Sequence, residues 1–113
     1  MKLQELIDIL SLEVKTTSSN LTREVTGGYV SDLLSDVIAN SKEGNIWITL
    51  QTHQNIVAVA ALRDLSGIIL VNKRNPDADT LKKAEEEGIP IMVSSLPAFE
   101  LVGRLYTLGL RCQ

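Results

Sequence analysis

His53 is the one side chain of this sequence whose ordinary pKa, about 6.5, suits proton transfer near neutrality. A working general base also needs a nucleophile and an orienting carboxylate beside it. Ser31 and Asp32 are of the right types, but no spacing ties them to His53, which reads as an ordinary loop histidine. Metal chemistry has less support still. The two-histidine helical spacing of zinc hydrolases is missing. Cys112, the single cysteine, cannot supply the thiolates of an iron–sulfur cluster or a cysteine-rich zinc site. Neither glycine-rich phosphate-loop pattern occurs, and Gly27-Gly28 signals only backbone freedom or close approach. We therefore expect no catalytic residues, no metal and no cofactor.

A second set of polar residues suits binding. Ser31-Asp32, Gln51 to Asn55, Asn72-Lys73-Arg74-Asn75 and Ser94-Ser95 each follow a strand-like segment. If those strands run parallel, the four loops share one edge, where open α/β sheets gather ligands. Helix N-termini point the same way and favour an anion, with Lys73 and Arg74 as cations. The candidate ligand-binding residues are Ser31, Asp32, Gln51, Thr52, His53, Asn72, Lys73, Ser94 and Ser95. The candidate ligand is a nucleotide or other anionic metabolite. Helix caps and solvated turns are the competing reading, since every such fold carries polar loops there.

The elements that must position these loops follow from periodicity. Leu3, Leu6, Ile7 and Leu10 fall at helical spacing, and Ser11 to Lys15 alternates as a short strand. Thr16 to Asn20 reads as a polar turn. Glu24 to Val30 is an extended segment broken by the glycine pair. Ser31 is placed to cap a helix over Leu33, Leu34, Val37 and Ile38 that ends near Gly44. Ile46 to Leu50 and Gly67 to Val71 are apolar on both faces, as buried parallel strands require. Between them, the alanine-rich run Ile56 to Leu62 reads as the crossover helix. Asn75-Pro76 opens a helix over 77–87, with Ala78, Leu81 and Ala84 inward and Gly88 as the stop. Pro90 to Val93 is a further strand. Ser95 would cap a last helix with the stripe Ala98, Leu101, Val102, Leu105 and Leu108. This alternation predicts a three-layer α/β/α fold with a mainly parallel sheet, helices on both faces and right-handed crossovers. We expect one domain over residues 1–113.

Composition sets the outer bounds. The chain of 113 residues can bury a core without disulfides, and with aromatics at 4% that core must be aliphatic. A net charge of −3 and the absence of a basic stripe argue against nucleic acid. No apolar run approaches the roughly 20 residues of a membrane span, and the N-terminus does not read as a signal peptide. The expected location is cytoplasmic. The helix from Ile56 to Leu62 shows no polar stripe, so something must cover its second face. The final helix or a second copy of the chain are the candidates, with Trp47 joining the patch. We expect a symmetric homodimer.

The stretch Arg23-Glu24-Val25-Thr26-Gly27-Gly28-Tyr29-Val30-Ser31-Asp32-Leu33-Leu34-Ser35-Asp36-Val37 resembles the DRTGG-domain family. The resemblance continues through Ile46 to His53 and Gly67 to Val71. Thr26, Gly27 and Gly28 match the naming motif. Glu24 and Val25 stand where the family name has Asp and Arg, so no role of that arginine carries over. The resemblance implies a fold like the N-terminal domain of the HPr kinase/phosphorylase. It also implies a dimerising or regulatory part without chemistry of its own, as found beside CBS domains in regulated pyrophosphatases and beside phosphotransacetylases. Stand-alone versions resemble hydrogenase accessory proteins. The expected function is thus a non-catalytic regulatory or interaction module attached to a hydrogenase or other metabolic enzyme. The alternative is a sensor of an anionic metabolite.

Overall fold

A computed structural model describes residues 1–17 and 20–112. Among the described residues, five helices and five strands follow one another: α1 (Leu3–Leu10), β1 (Glu13–Val14), β2 (Gly27–Val30), α2 (Leu34–Asn40), β3 (Asn45–Thr49), α3 (Asn55–Leu62), β4 (Gly67–Leu70), α4 (Ala78–Glu87), β5 (Ile91–Val93) and α5 (Ala98–Thr107). The turn expected over Thr16 to Asn20 lies partly outside the described residues, at Ser18 and Ser19.

The strands form one sheet in the order β1-β5-β4-β3-β2. β2, β3, β4 and β5 are parallel, and only the short β1 runs antiparallel, against β5. The fold is therefore the expected three-layer α/β/α arrangement. Every residue of β3, β4 and β5 is buried, because helices cover both faces. The apolar side chains alternate between two clusters. Ile46, Ile48, Ile69, Val71 and Met92 pack under Leu3, Leu6, Ile7 and Leu10 of α1 and Leu101 and Leu105 of α5. Trp47, Ile68, Leu70, Ile91 and Val93 pack under Val37 of α2, four residues of α3 and Ala84 of α4.

That division follows from the topology. Consecutive strands step across the sheet in one direction, and crossovers of one hand then place α2, α3 and α4 on a single face. α1 and α5 take the other face. The expected cover of α3 is accordingly corrected. Its flanks rest on α2 and α4, while α5 lies across the sheet from it. Ile56, Val57, Val59 and Ala60 are buried, and the outer stripe is Ala58, Ala61 and Leu62, the last 68% exposed. Trp47 is fully buried in the same layer, its indole N–H donating to the Ser31 carbonyl at 2.9 Å.

Three expected helix caps move by two residues. α2 begins at Leu34, because the Ser31 Oγ accepts from Leu33 N in a tight turn and does not cap a helix. Leu33 is consequently 65% exposed. Asp77, not Asn75, precedes α4, whose buried residues are Thr80 and Ala84 while Ala78 is exposed. Pro97, not Ser95, precedes α5.

Candidate functional site

The parallel strands bring all nine candidate residues to one edge of the sheet, beyond the carboxyl ends of β2, β3, β4 and β5. Within that rim they fall into three groups.

The first joins β2 to β3. Asp32 Oδ1 accepts from the buried Thr49 hydroxyl and from Leu50 N, both at 2.8 Å. Gln51 Nε2 donates to the Asp32 carbonyl at 3.0 Å. Ser31 turns toward α2, where its hydroxyl, the phenol of Tyr29 and the Asn40 amide converge on Asp36. Those donors, Ser31 first and Tyr29 next, hold the Asp36 carboxyl below the usual carboxylate range. The same contact pushes the Tyr29 hydroxyl up.

The second group joins the loop after β3 to α4. The Thr52 carbonyl accepts from Asp77 N at 3.1 Å and from the Thr80 hydroxyl at 2.6 Å. His53 is exposed, and its Nδ1 accepts from Asn55 N at 3.1 Å. That bond occupies the ring's acceptor at the entrance to α3 and gives His53 a turn-closing role. No bond links it to Ser31 or Asp32 among the described residues.

The third group lies between β4 and β5. Here the connections part: the loop after β4 leads to α4 on one face, and the loop after β5 leads to α5 on the other. Such a fork is where open α/β sheets leave a crevice. Asn72 N donates to Leu96 O at 2.9 Å, and Lys73 N to Ser94 O at 2.8 Å. The buried Ser94 accepts from Leu96 N on its Oγ. Asn72 and Lys73 both adopt φ of 56°, in the left-handed region that costs a residue with a Cβ roughly 1–2 kcal/mol. Two consecutive such residues are held by the cross-loop bonds and leave their side chains exposed. Lys73 and Arg74 make no ion pair among the described residues. Ser95 is exposed beside them. No group of three metal-ligating side chains occurs among the described residues.

Among the described residues, two further clefts lie away from the rim, and no motif or periodicity marks them. One, of about 270 Å³, sits between β2, α5 and the chain's last turn, with Val30, Ile48, Val102 and Leu105 among its walls. Gly28 forms part of its floor, and Gly28 N donates to Arg111 O at 3.1 Å. The Arg111 guanidinium covers the Tyr106 ring at 3.6 Å from its centre. The other, about 490 Å³, runs between α1 and α5. Both are lined by α5 and by residues distant from it in sequence, which periodicity does not bring together.

The rim and its fork define a mainly parallel, doubly covered α/β domain with a polar loop edge. Comparison with solved structures places that fold. The chain is similar to the CBS and DRTGG domains of the regulatory region of Clostridium perfringens pyrophosphatase, solved in complex with the activator diadenosine tetraphosphate. The match has a TM-score of 0.74 at 18% identity and covers 98% of this chain and 48% of that one. The chain thus spans about half the length of that structure, and the likeness is one of fold. No family model and no curated protein matches the sequence. Among the described residues, no helix is long and apolar enough to cross a membrane.

Proposed function

We propose that this chain is a non-catalytic regulatory and interaction module, one domain over residues 1–113. It acts in the cytoplasm as a homodimer beside a metabolic enzyme, a hydrogenase being one candidate. The observation that carries this reading is how the rim's polar groups are engaged. Asp32, Gln51 and Thr52 join neighbouring elements, as the Ser94 carbonyl does with Lys73 N, while His53 closes its own turn, and among the described residues no nucleophile stands beside a base. The likeness in fold to an enzyme's regulatory region supports it. Affinity purification of the tagged chain from its native host, with mass spectrometry, tests it. The expected result is one metabolic enzyme recovered in fixed ratio. Recovery of background alone counts against the proposal.

A second reading has its own support at the fork between β4 and β5. There the strained pair Asn72-Lys73 presents a cation beside Ser94 and Ser95. Strain of this kind gathers at ligand sites. The module would then sense an anionic metabolite, a nucleotide first, since the similar regulatory region is complexed with one. Thermal shift with ATP, diadenosine tetraphosphate and inorganic phosphate tests this. A ligand at 100 times its Kd adds about 2.7 kcal/mol to stability. Lys73→Ala should abolish the shift, and no shift with any of the three refutes the sensor.

A further inference from the structure

The inner stripe of α5 is ordinary, with Leu101 and Leu105 buried on the sheet. Its outer stripe is not. Phe99 is 88% exposed, and Gly103, Arg104 and Thr107 follow it along the helix surface. With Ile9, itself 53% exposed, Leu10 and Leu108 they line the open groove between α1 and α5.

Gly103 has no reason inside the fold. It lies within the helix, its φ is not left-handed, and a Cβ there would meet nothing within 4 Å. Glycine at such a position costs about 1 kcal/mol against alanine. What glycine does permit is an approach of a second helix closer than the usual ~8–10 Å between axes.

The charges beside it point to which helix. Glu100 and Arg104 are opposite in sign and one turn apart, in the order that favours a bridge within a helix. They form none, and neither has another ion partner among the described residues. Around a two-fold axis at Gly103, an antiparallel copy of α5 brings Glu100 within one turn of the partner's Arg104 on the same flank, and Arg104 within one turn of the partner's Glu100. Gly103 then meets its own copy, and Phe99 reaches the Thr107 end of the facing groove. A surface that complements itself under a two-fold is what an isologous dimer requires.

We infer that the outer face of α5, with Ile9 and Leu10, is the homodimer interface. The occupant of the groove is the α5 of a second copy, in antiparallel contact. This inference rests on the homodimer reading and names its surface, which is not the outer stripe of α3. The test is light scattering and sedimentation of the intact chain over a range of concentrations, with circular dichroism to check each variant's fold. Glu100→Arg alone and Arg104→Glu alone each place like charges together across the axis and weaken dimerisation roughly tenfold or more. The double variant Glu100→Arg/Arg104→Glu restores the wild-type dimer. Leu62→Glu, on α3, leaves the dimer intact. A dimer that ignores both single reversals, or that the double reversal does not rescue, overturns the α5 interface while leaving homodimerisation standing. A dimer abolished by Leu62→Glu with α5 variants unaffected moves the interface to α3. A wild-type monomer at every concentration overturns both the interface and the homodimer, without touching the regulatory reading.

Discussion

Gly44 and Gly88 are both left-handed, at φ of 81° and 69°, yet substituting them should have different consequences. Gly88 ends α4 in open space, and an added Cβ meets nothing within 4 Å. Gly88→Ala therefore carries only the backbone term, about 1 kcal/mol or slightly more. At Gly44 an added Cβ would lie 2.7 Å from Thr26 Cγ2 and 2.8 Å from Thr26 Oγ1. Thr26 must then move. Its hydroxyl donates to Glu43 O at 2.8 Å and accepts from Asn45 Nδ2 at 3.3 Å, so both bonds are put at risk. Two hydrogen bonds at about 1 kcal/mol each, added to the backbone term, give a loss of about 3 kcal/mol for Gly44→Ala. Urea unfolding, read as a midpoint shift at constant slope, measures both. Combining Gly44→Ala with Thr26→Ala removes the colliding atoms, so the double variant should be less destabilised than the sum of the singles. Equal losses at the two glycines, or strict additivity of Gly44 with Thr26, would refute the claim that Thr26 is seated on a position that only glycine can fill.

Asp32→Ala leaves the buried Thr49 hydroxyl and Leu50 N without their acceptor, and should cost about 1–2 kcal/mol by the same unfolding assay. Arg23 donates to the Asp64 carboxylate at 2.9 Å and so holds that carboxyl below its ordinary value. A depressed carboxylate contributes stability above its unfolded pKa, about 3.9, and loses it as pH falls through the folded value. Asp64→Asn should therefore lower stability at neutral pH, by no more than about 1 kcal/mol for so exposed a pair, and flatten the acid limb of a stability–pH curve. Lys73→Gly should raise stability by about 1 kcal/mol by relieving the left-handed backbone, while weakening any anion binding that a thermal-shift panel detects. His53→Ala should shift the unfolding midpoint little, since it removes one exposed acceptor of a turn.

The sheet and its layers were legible because strand and helix periods depend on which side chains face the core. β3 carries Ile46-Trp47-Ile48 and β4 carries Ile68-Ile69-Leu70, apolar on both faces, and the helix between them leaves parallel pairing as the way to bury both faces. The rim followed from that topology alone. Helix starts were less legible. Ser31, Asn75 and Ser95 are good caps by type, but the residue that precedes each helix stands two positions further along. Ser31 is drawn to Leu33 N and Asp36, and the segment after β5 is tied to Asn72 and Lys73. The left-handed pair at Asn72-Lys73 carries no glycine to announce it. It exists because Leu96 and Ser94 offer carbonyls at the right distance, 24 and 21 residues further along the chain.

The uniform hydrophobicity of α3 has a meaning that helical periodicity on a two-sided picture misses. A helix at the end of a layer touches the sheet and one neighbour, and keeps a broad polar face. A helix in the middle touches the sheet and two neighbours, so three of its sides must be apolar. α3 is that middle helix, between α2 and α4. What remains outside is a strip of two alanines and Leu62, too small to require a partner. The stronger signal of a partner is on a helix whose pattern is amphipathic and which nevertheless carries a phenylalanine and a glycine on its polar side. Neither residue improves the folded monomer, because Phe99 lies in water and Gly103 gives up helix propensity with no steric gain. The proposed α5 interface accounts for residues that cost the monomer by a contact the monomer does not make, and α5 is the helix where two such residues stand one turn apart.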